Sequence, residues 1–136
     1  MKIHLVMLGA AMVFLGGCAS ETGAYHPANG DKFNQETQAK FVLMDGAVQH
    51  SVTTSGLQET HLADGRLQVG VVLRNREGRR IQVQVQCVFK DAAFIPTGDE
   101  TPWQDIILTE NGQEGLTFAS MNDQARNYTV RVRQAR

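Results

Sequence analysis

This sequence has no large excess of positive or negative charge and no catalytic signature motif. It also has no long apolar run after residue 15. The formal net charge is only -1, which provides no strong attraction to nucleic acid. No nucleophile elbow, phosphate-binding glycine loop or dinucleotide fingerprint is present, so none of those enzyme classes is indicated. Apolar residues still make up 42% of the chain and charged residues 20%, which is typical of one folded domain rather than of a disordered protein.

The one apolar run of any length covers residues 5–15 and follows a positive charge at Lys2. As a helix, these eleven residues would extend about 16 Å, roughly half the hydrocarbon thickness of a bilayer. Small residues, Gly16 and Gly17, come next. This order of charge, short apolar run and small residues predicts a signal peptide over residues 1–17 rather than a membrane-spanning helix.

A cysteine at the predicted cleavage point changes the meaning of this signal. The motif Leu15-Gly16-Gly17-Cys18 resembles the lipobox of bacterial lipoproteins. The resemblance implies a diacylglycerol thioether on Cys18, cleavage before it and acylation of its new amino group. Several acyl chains hold a membrane firmly, whereas one binds marginally. An ordinary signal peptide with an incidental cysteine is the alternative interpretation.

The residues after the cysteine predict the membrane in which the protein is anchored and the tether between anchor and domain. Ala19 and Ser20 follow Cys18, and the lack of Asp implies, by resemblance to Gram-negative lipoproteins, transfer to the outer membrane. Residues 18–40 are polar and punctuated by Gly, Pro and Asn, which predicts a flexible tether after the lipidated cysteine. We therefore expect a domain anchored by lipid at the periplasmic face, with a short helix or leading strand as the alternative for part of the tether.

Residues 41–136 show the two-residue period of β-strands. In residues 81–89 the odd positions are apolar, and Gln82, Gln84 and Gln86 alternate with them. In a helix these apolar side chains would be spread around the circumference, whereas in a strand they share one face. Turn signals at Asp64-Gly65 and Asn111-Gly112 separate further runs. The predicted strands cover residues 41–44, 48–54, 57–62, 67–73, 81–89, 103–109, 114–120 and 128–133, with a loop at 96–102.

This pattern predicts an all-β domain: an antiparallel, immunoglobulin-like sandwich of about seven strands. A small open β-barrel is the alternative architecture. The predicted core contains Trp103, Phe89, Phe118, Tyr128 and the apolar faces of the strands. Residues 103–109 and 114–120 are expected to pair through the Asn111-Gly112 turn.

Several of these features together resemble the YcfL-like family of small enterobacterial lipoproteins. They are the lipobox at Cys18, the strand endings Leu73-Arg74-Asn75 and Phe89-Lys90-Asp91, the pair Pro102-Trp103 and the terminal run Tyr128-Thr129-Val130-Arg131-Val132. The resemblance covers the signal and roughly the last half of the chain. It implies an exported β-domain without known catalytic residues, and it leaves the activity open.

Arginine provides the candidate binding residues. Arg74, Arg76, Arg79 and Arg80 cluster around one predicted hairpin, and Arg131 and Arg133 share the outward face of the last strand. If the two groups are neighbours in the fold, they form a basic patch suited to cell-wall carboxylates, lipid phosphates or an acidic protein surface. Protection of an exposed sheet edge by charge is the alternative role.

The other reactive residue types point to no catalytic or metal site. Cys87 lies on the apolar face of the best strand, so it is expected to be a core residue, with an intermolecular disulfide or redox role as the alternative. His26, His50 and His61 lack metal-ligand spacing, and the carboxylates of Asp99 and Glu100 fall in a predicted loop. We expect no metal and no cofactor.

Together these inferences predict an outer-membrane-anchored periplasmic lipoprotein whose domain, residues 41–136, is a non-catalytic binding or accessory module. Its expected partners are the membrane, through the lipid on Cys18, and an envelope protein, the cell wall or a lipid head group, but not nucleic acid. An envelope enzyme acting on wall or lipid and a self-associating structural domain are the alternatives.

The lipid anchor is tested by Cys18→Ala. The substitution removes the thiol that would carry the diacylglycerol, so we expect it to abolish incorporation of radiolabelled fatty acid and to leave the precursor uncleaved at this position. Labelling of Cys87→Ala, which removes the other cysteine, should match that of the parent. Fatty acid still incorporated into Cys18→Ala would contradict the lipoprotein interpretation.

Overall fold

A computed structural model describes residues 38–136 of the chain. The predicted signal peptide, Cys18 and the tether up to residue 37 lie outside the described residues. In the described part, no helix is long and apolar enough to cross a membrane.

The described residues form eight strands and one short helix. In chain order the elements are β1 (Phe41–Leu43), α1 (Gly46–Ser51), β2 (Val52–His61), β3 (Leu67–Asn75), β4 (Ile81–Lys90), β5 (Pro96–Glu100), β6 (Gln104–Leu108), β7 (Gln113–Ala119) and β8 (Asn127–Gln134).

These strands make two sheets that pack face to face. The first sheet has the order β1-β8-β4-β5, and β6 pairs with the same edge of β4 as β5; the second has the order β2-β3-β7. All pairs are antiparallel except β1 with β8, which is parallel. The predicted all-β sandwich is therefore confirmed. The sheets are not closed into a barrel, and one strand more than the expected seven is present in the described residues.

The core lies between the sheets and is built by the alternation visible in the sequence. Successive side chains of a strand point to opposite faces, so the odd positions of β3 and β4 and the even positions of β8 point inward. Phe89, Phe118 and Tyr128 are buried there as predicted. The fully buried large side chains include Phe89, Leu67, Leu73, Leu108, Val69, Val71, Val83, Val85, Val130 and Val132.

The strand predicted over residues 48–54 is wrong in its first half. Residues Gly46–Ser51 form α1, because the carboxylate of Asp45 accepts a hydrogen bond from the Val48 backbone N–H at 3.0 Å and caps the first turn. Strand β2 then runs without interruption through both predicted runs up to His61, with a register shift between Thr54 and Gly56. Local capping thus overrides the β-propensity of Val48.

Two further expectations about residues 96–120 are wrong. The predicted loop contains an edge strand, β5, in which Pro96 takes the first position and Gly98 has a φ of +84°. The expected hairpin between β6 and β7 does not form either, since β6 pairs with β4 in one sheet and β7 with β3 in the other. The Asn111-Gly112 turn therefore connects the two sheets, with Asn111 at a φ of +53°.

The buried residue Asn75, at the end of β3, forms hydrogen bonds with both segments that surround this connection between the sheets. Its Nδ2 donates to the backbone oxygens of Arg79 at 2.7 Å and Thr109 at 2.9 Å, and its Oδ1 accepts from the Glu77 backbone N–H at 2.9 Å. Its own backbone N–H donates to the Gly112 oxygen at 2.9 Å. Because the side chain is fully buried, these bonds replace water for four polar groups.

The two residues before β1 already form hydrogen bonds with β8. The backbone oxygen of Lys40 accepts from the Val130 N–H at 2.9 Å, and that of Ala39 accepts from the Thr129 hydroxyl at 2.7 Å. The Lys40 ammonium also pairs with Glu59 of β2 at 2.8 Å. The last two residues of the predicted tether are thus fixed to β8.

The contribution of Asn75 is tested by replacing it. Asn75→Ala removes a fully buried amide and leaves the Arg79 and Thr109 oxygens and the Glu77 N–H without this partner at part-buried positions, so we expect a loss of about 1–3 kcal/mol in the free energy of unfolding. Asn75→Asp should cost more, because an oxygen would face two carbonyl oxygens. Urea denaturation measures both, with Gln104→Ala, an exposed side chain, as the control. Stabilities equal to the parent for both variants would contradict the role of this amide.

Candidate functional site

The outer face of the larger sheet carries a group of interlocked polar and aromatic side chains. Strand β4 contributes Gln84 and Gln86, strand β8 contributes Arg131 and Arg133, and the residue just before β6 is Trp103. These five residues are called the Trp103 cluster below. Their positions follow from alternation, because the neighbouring residues Val83, Val85, Cys87, Val130 and Val132 fill the core on the other face.

Strand register brings the members of the cluster together. Gln84 lies opposite both Arg133 of β8 and Asp105 of β6, and Gln86 lies opposite Arg131. The Arg133 Nε donates to Gln84 Oε1 at 2.9 Å, and Gln84 Nε2 donates to Asp105 Oδ1 at 3.1 Å. These two bonds orient the Arg133 guanidinium through Gln84, and the Asp105 carboxylate bonds to the glutamine rather than to the arginine.

The Trp103 ring is stacked against both arginines. The Arg133 Cζ lies 3.9 Å from the ring centroid and the Arg131 Cζ lies 5.5 Å from it, both within the range of a cation–π interaction. Such a contact is worth about 0.5–2 kcal/mol depending on how far it is desolvated. The expectation that Trp103 belongs to the core is wrong: the ring is half-buried on the outer face, where guanidinium groups rather than apolar side chains cover it.

Charge across this face is partly balanced. Arg131 Nη2 donates to Gln86 Oε1 and lies 3.8 Å from the exposed carboxylate of Glu100, whereas its Nε is buried with no hydrogen-bond partner among the described residues. Lys90 lies further along β4, with its Nζ 2.8 Å from the Thr129 hydroxyl. Burial, and secondarily the charge of Arg131, lowers the pKa of Lys90. The cluster is therefore cationic with its acids at the rim.

The six arginines predicted as a patch lie in three places. Arg131 and Arg133 are together in the Trp103 cluster. Arg79 and Arg80 line a cavity of about 290 Å³ beside α1 and the end of β8, and Arg79 pairs with Glu77. Arg74 and Arg76 face a depression on the outer side of the smaller sheet. The sandwich thus places Arg74 and Arg76 on the opposite sheet from Arg131 and Arg133.

Cys87 lies on the core side of β4, and its thiol is buried and un-ionised. Its side chain is fully buried, and its backbone N–H donates to the Thr101 hydroxyl oxygen at 2.9 Å. Burial, followed by the charge of Asp99, raises the pKa of the thiol to about 12. The thiol is neutral at physiological pH, as a core residue is expected to be. Within residues 38–136, no three His, Cys, Asp or Glu side chains come together as a metal-binding group.

Sequence reasoning found the arginines but missed the residues that orient them. Gln84 and Gln86 were visible only as the polar face of β4, and Trp103 as a core aromatic. The sequence does not show whether a tryptophan at the start of a strand lies in the core or on the outer face of the sheet. That depends on which strand pairs with the one that it precedes. The outward alternation of Arg131 and Arg133 with the glutamines was the available signal.

The stack is tested by fluorescence, since Trp103 is the single tryptophan of the chain. Arg133→Ser uncovers the ring, so we expect its emission to move to longer wavelength and its quenching by acrylamide to increase. Arg136→Ser removes one exposed charge three residues away and should leave the spectrum unchanged. Identical spectra for Arg133→Ser and the parent would contradict this geometry.

Comparisons with known proteins concern the fold. The sequence matches no model of a known protein family, and no curated protein matches it. The structure is similar to that of cj0090 from Campylobacter jejuni, with 15% identity, a TM-score of 0.62 and coverage of 72% of this chain and 100% of that one. It is also similar to a DUF1425 family member from Shewanella sp. pv-4, with 22% identity, a TM-score of 0.57 and coverage of 62% and 79%. These two similarities show that the fold of the described domain also occurs in those proteins.

Proposed function

We propose that this protein is a lipoprotein of the bacterial outer membrane, held at the periplasmic face by lipid on Cys18, and that its sandwich is a non-catalytic binding module. The three-zone signal ending in Leu15-Gly16-Gly17-Cys18 supports the anchor. The resemblance to the YcfL-like lipoproteins, together with the similarity of the fold to a DUF1425 family member, supports assignment to such a family.

The observation that carries the binding role is the ordered Trp103 cluster on an open sheet face. An arginine held by a glutamine on one side and an aromatic ring on the other has lost most of its freedom before a ligand arrives, so binding costs less side-chain entropy. Tryptophan and arginine are also the residue types that contribute most to binding energy at interfaces.

The chemistry of the cluster favours binding over catalysis. Its side chains donate hydrogen bonds and stack, while the carboxylate of Asp105 accepts from Gln84 and that of Glu100 lies beside Arg131. The thiol of Cys87 is buried and neutral, so it supplies no nucleophile. A general base or nucleophile set up by a neighbouring group would be needed for an envelope enzyme.

The ligand class follows from the charges. Within residues 38–136, the side-chain hydrogen bond of Arg133 uses Nε, so its terminal nitrogens can donate to a partner. A carboxylate accepts two parallel N–H bonds from one guanidinium, which gives direction as well as affinity. We therefore propose an acidic envelope component, with the carboxylates of the cell wall as the first choice.

Co-sedimentation of the full chain, in mild detergent, with isolated cell wall tests this function. The double variant Arg131→Ser/Arg133→Ser removes both donors and should weaken binding by about tenfold or more, because bonds to charged groups are worth about 1.5–3 kcal/mol each. Trp103→Ala keeps both charges but releases the stack, so a smaller loss is expected.

The matched control for charge is Arg136→Ser, which lies outside the cluster on the same terminal segment and should bind like the parent. Equal losses for Arg136→Ser and Arg133→Ser would mean that net charge rather than the cluster governs binding. A parent chain that does not sediment with the wall would end the proposal for this ligand.

A further inference from the structure

A second arginine pair faces a depression on the opposite sheet. Arg74, Arg76, Thr53 and Asn111 line a cavity of about 300 Å³ at the end of β3, called the Arg74 pocket below. It lies on the outer side of the smaller sheet, whereas the Trp103 cluster lies on the outer side of the larger one. Nothing in the binding role proposed above requires this pocket.

Backbone pairing makes the four side chains converge. Arg74 lies opposite Thr53 in the β2–β3 ladder, and the Arg76 N–H continues that ladder by donating to the Ser51 oxygen at 2.7 Å. Because Arg74 and Arg76 are two residues apart along this ladder, their side chains leave on the same face. The Asn111 N–H donates to the Glu77 oxygen at 3.0 Å, which brings the β6–β7 turn to the rim.

The acid nearest in sequence to these arginines is bound elsewhere. Glu77 accepts from the Ser51 hydroxyl and pairs with Arg79, and the Ser51 bond is the main reason that the pKa of Glu77 is lowered. Within the described residues, neither Arg74 nor Arg76 forms an ion pair or a side-chain hydrogen bond, and both are exposed. In the same range Arg66, Arg79 and Arg131 each have an acidic partner.

All four lining side chains can donate hydrogen bonds. A guanidinium has five N–H donors and no acceptor, and the Thr hydroxyl and the Asn amide add further donors. The exposed acids Glu110 and Glu114 are close in sequence to Asn111, but neither forms an ion pair with Arg74 or Arg76 in the described structure. Two positive charges beside these further donors match the chemistry of an anion with several acceptor oxygens.

We infer that the Arg74 pocket binds a phosphate group, either of a soluble phosphate compound or of a lipid head group. Phosphate offers three or four oxygens to two guanidinium forks, a hydroxyl and an amide, whereas a carboxylate offers two. A volume of about 300 Å³ is at the lower end for small-molecule sites, which leaves room for the group that bears the phosphate.

Calorimetric titration of the full chain in non-ionic detergent with inorganic phosphate tests the pocket. We expect saturable binding that Arg74→Gln/Arg76→Gln weakens by about tenfold or more and that each single variant weakens by less. Asn111→Gly keeps the positive φ of the turn and removes only the amide, so a smaller loss is expected. Far-ultraviolet circular dichroism and the emission of Trp103 verify that each variant is folded.

The matched control is Arg136→Gln, which removes one exposed charge outside both arginine groups and should bind phosphate like the parent. The two proposals fail separately, because wall binding should survive Arg74→Gln/Arg76→Gln and phosphate binding should survive Arg131→Ser/Arg133→Ser. No saturable binding by the parent, or equal affinities for the parent and Arg74→Gln/Arg76→Gln, would overturn the inference.

A second titration distinguishes the sources of the phosphate. Short-chain phosphatidylglycerol, used below its micellar concentration, presents the lipid head group, and glycerol phosphate presents the same phosphate without acyl chains. Tighter binding of the lipid, lost in Arg74→Gln/Arg76→Gln, supports a head-group site. Equal or tighter binding of glycerol phosphate, lost in the same variant, supports a soluble phosphate compound. Binding of either ligand that is insensitive to the two arginines would contradict the pocket.

Discussion

The amide of Asn75 joins the two sheets at the point where the chain crosses between them. Its donors reach the β3–β4 connection at Arg79 and the end of β6 at Thr109, and its oxygen fixes the backbone at Glu77. Once that connection is fixed, Glu77 can bind Ser51 and Arg79, and the β6–β7 turn comes to rest beside Arg76. One buried side chain thus positions both the crossing and the rim of the Arg74 pocket.

The sandwich uses its two outer faces differently. On the larger sheet, Arg131 and Arg133 are held by glutamines and lie against the Trp103 ring, so both side chains are fixed by contacts within the domain. On the smaller sheet, Arg74 and Arg76 are exposed and without acidic partners among the described residues. The full chain has a net charge of only -1, yet its described domain carries two separate cationic groups, because they lie on opposite outer faces of the sandwich.

Local patterns predicted the strands well where a strand has one buried face. The alternation in β3, β4 and β8 fixed which residues enter the core, since a shift by one residue would expose all of them. Prediction failed where a single local contact outweighs propensity, as at Asp45, whose carboxylate starts α1. It also failed at residues 96–100, where an edge strand forms because β4 is long enough to pair with two short segments.

By itself, the sequence determined the lipobox interpretation, the all-β class, the core faces and the outward alternation of Arg131 and Arg133, because each depends on residues close together in the chain. Only the tertiary structure decided which strands became neighbours. The turn at Asn111-Gly112 has the same sequence signature whether it closes a hairpin or crosses between sheets, and the crossing is selected by distant contacts with Asn75. That choice separated the six arginines into three places and put Trp103 beneath two of them.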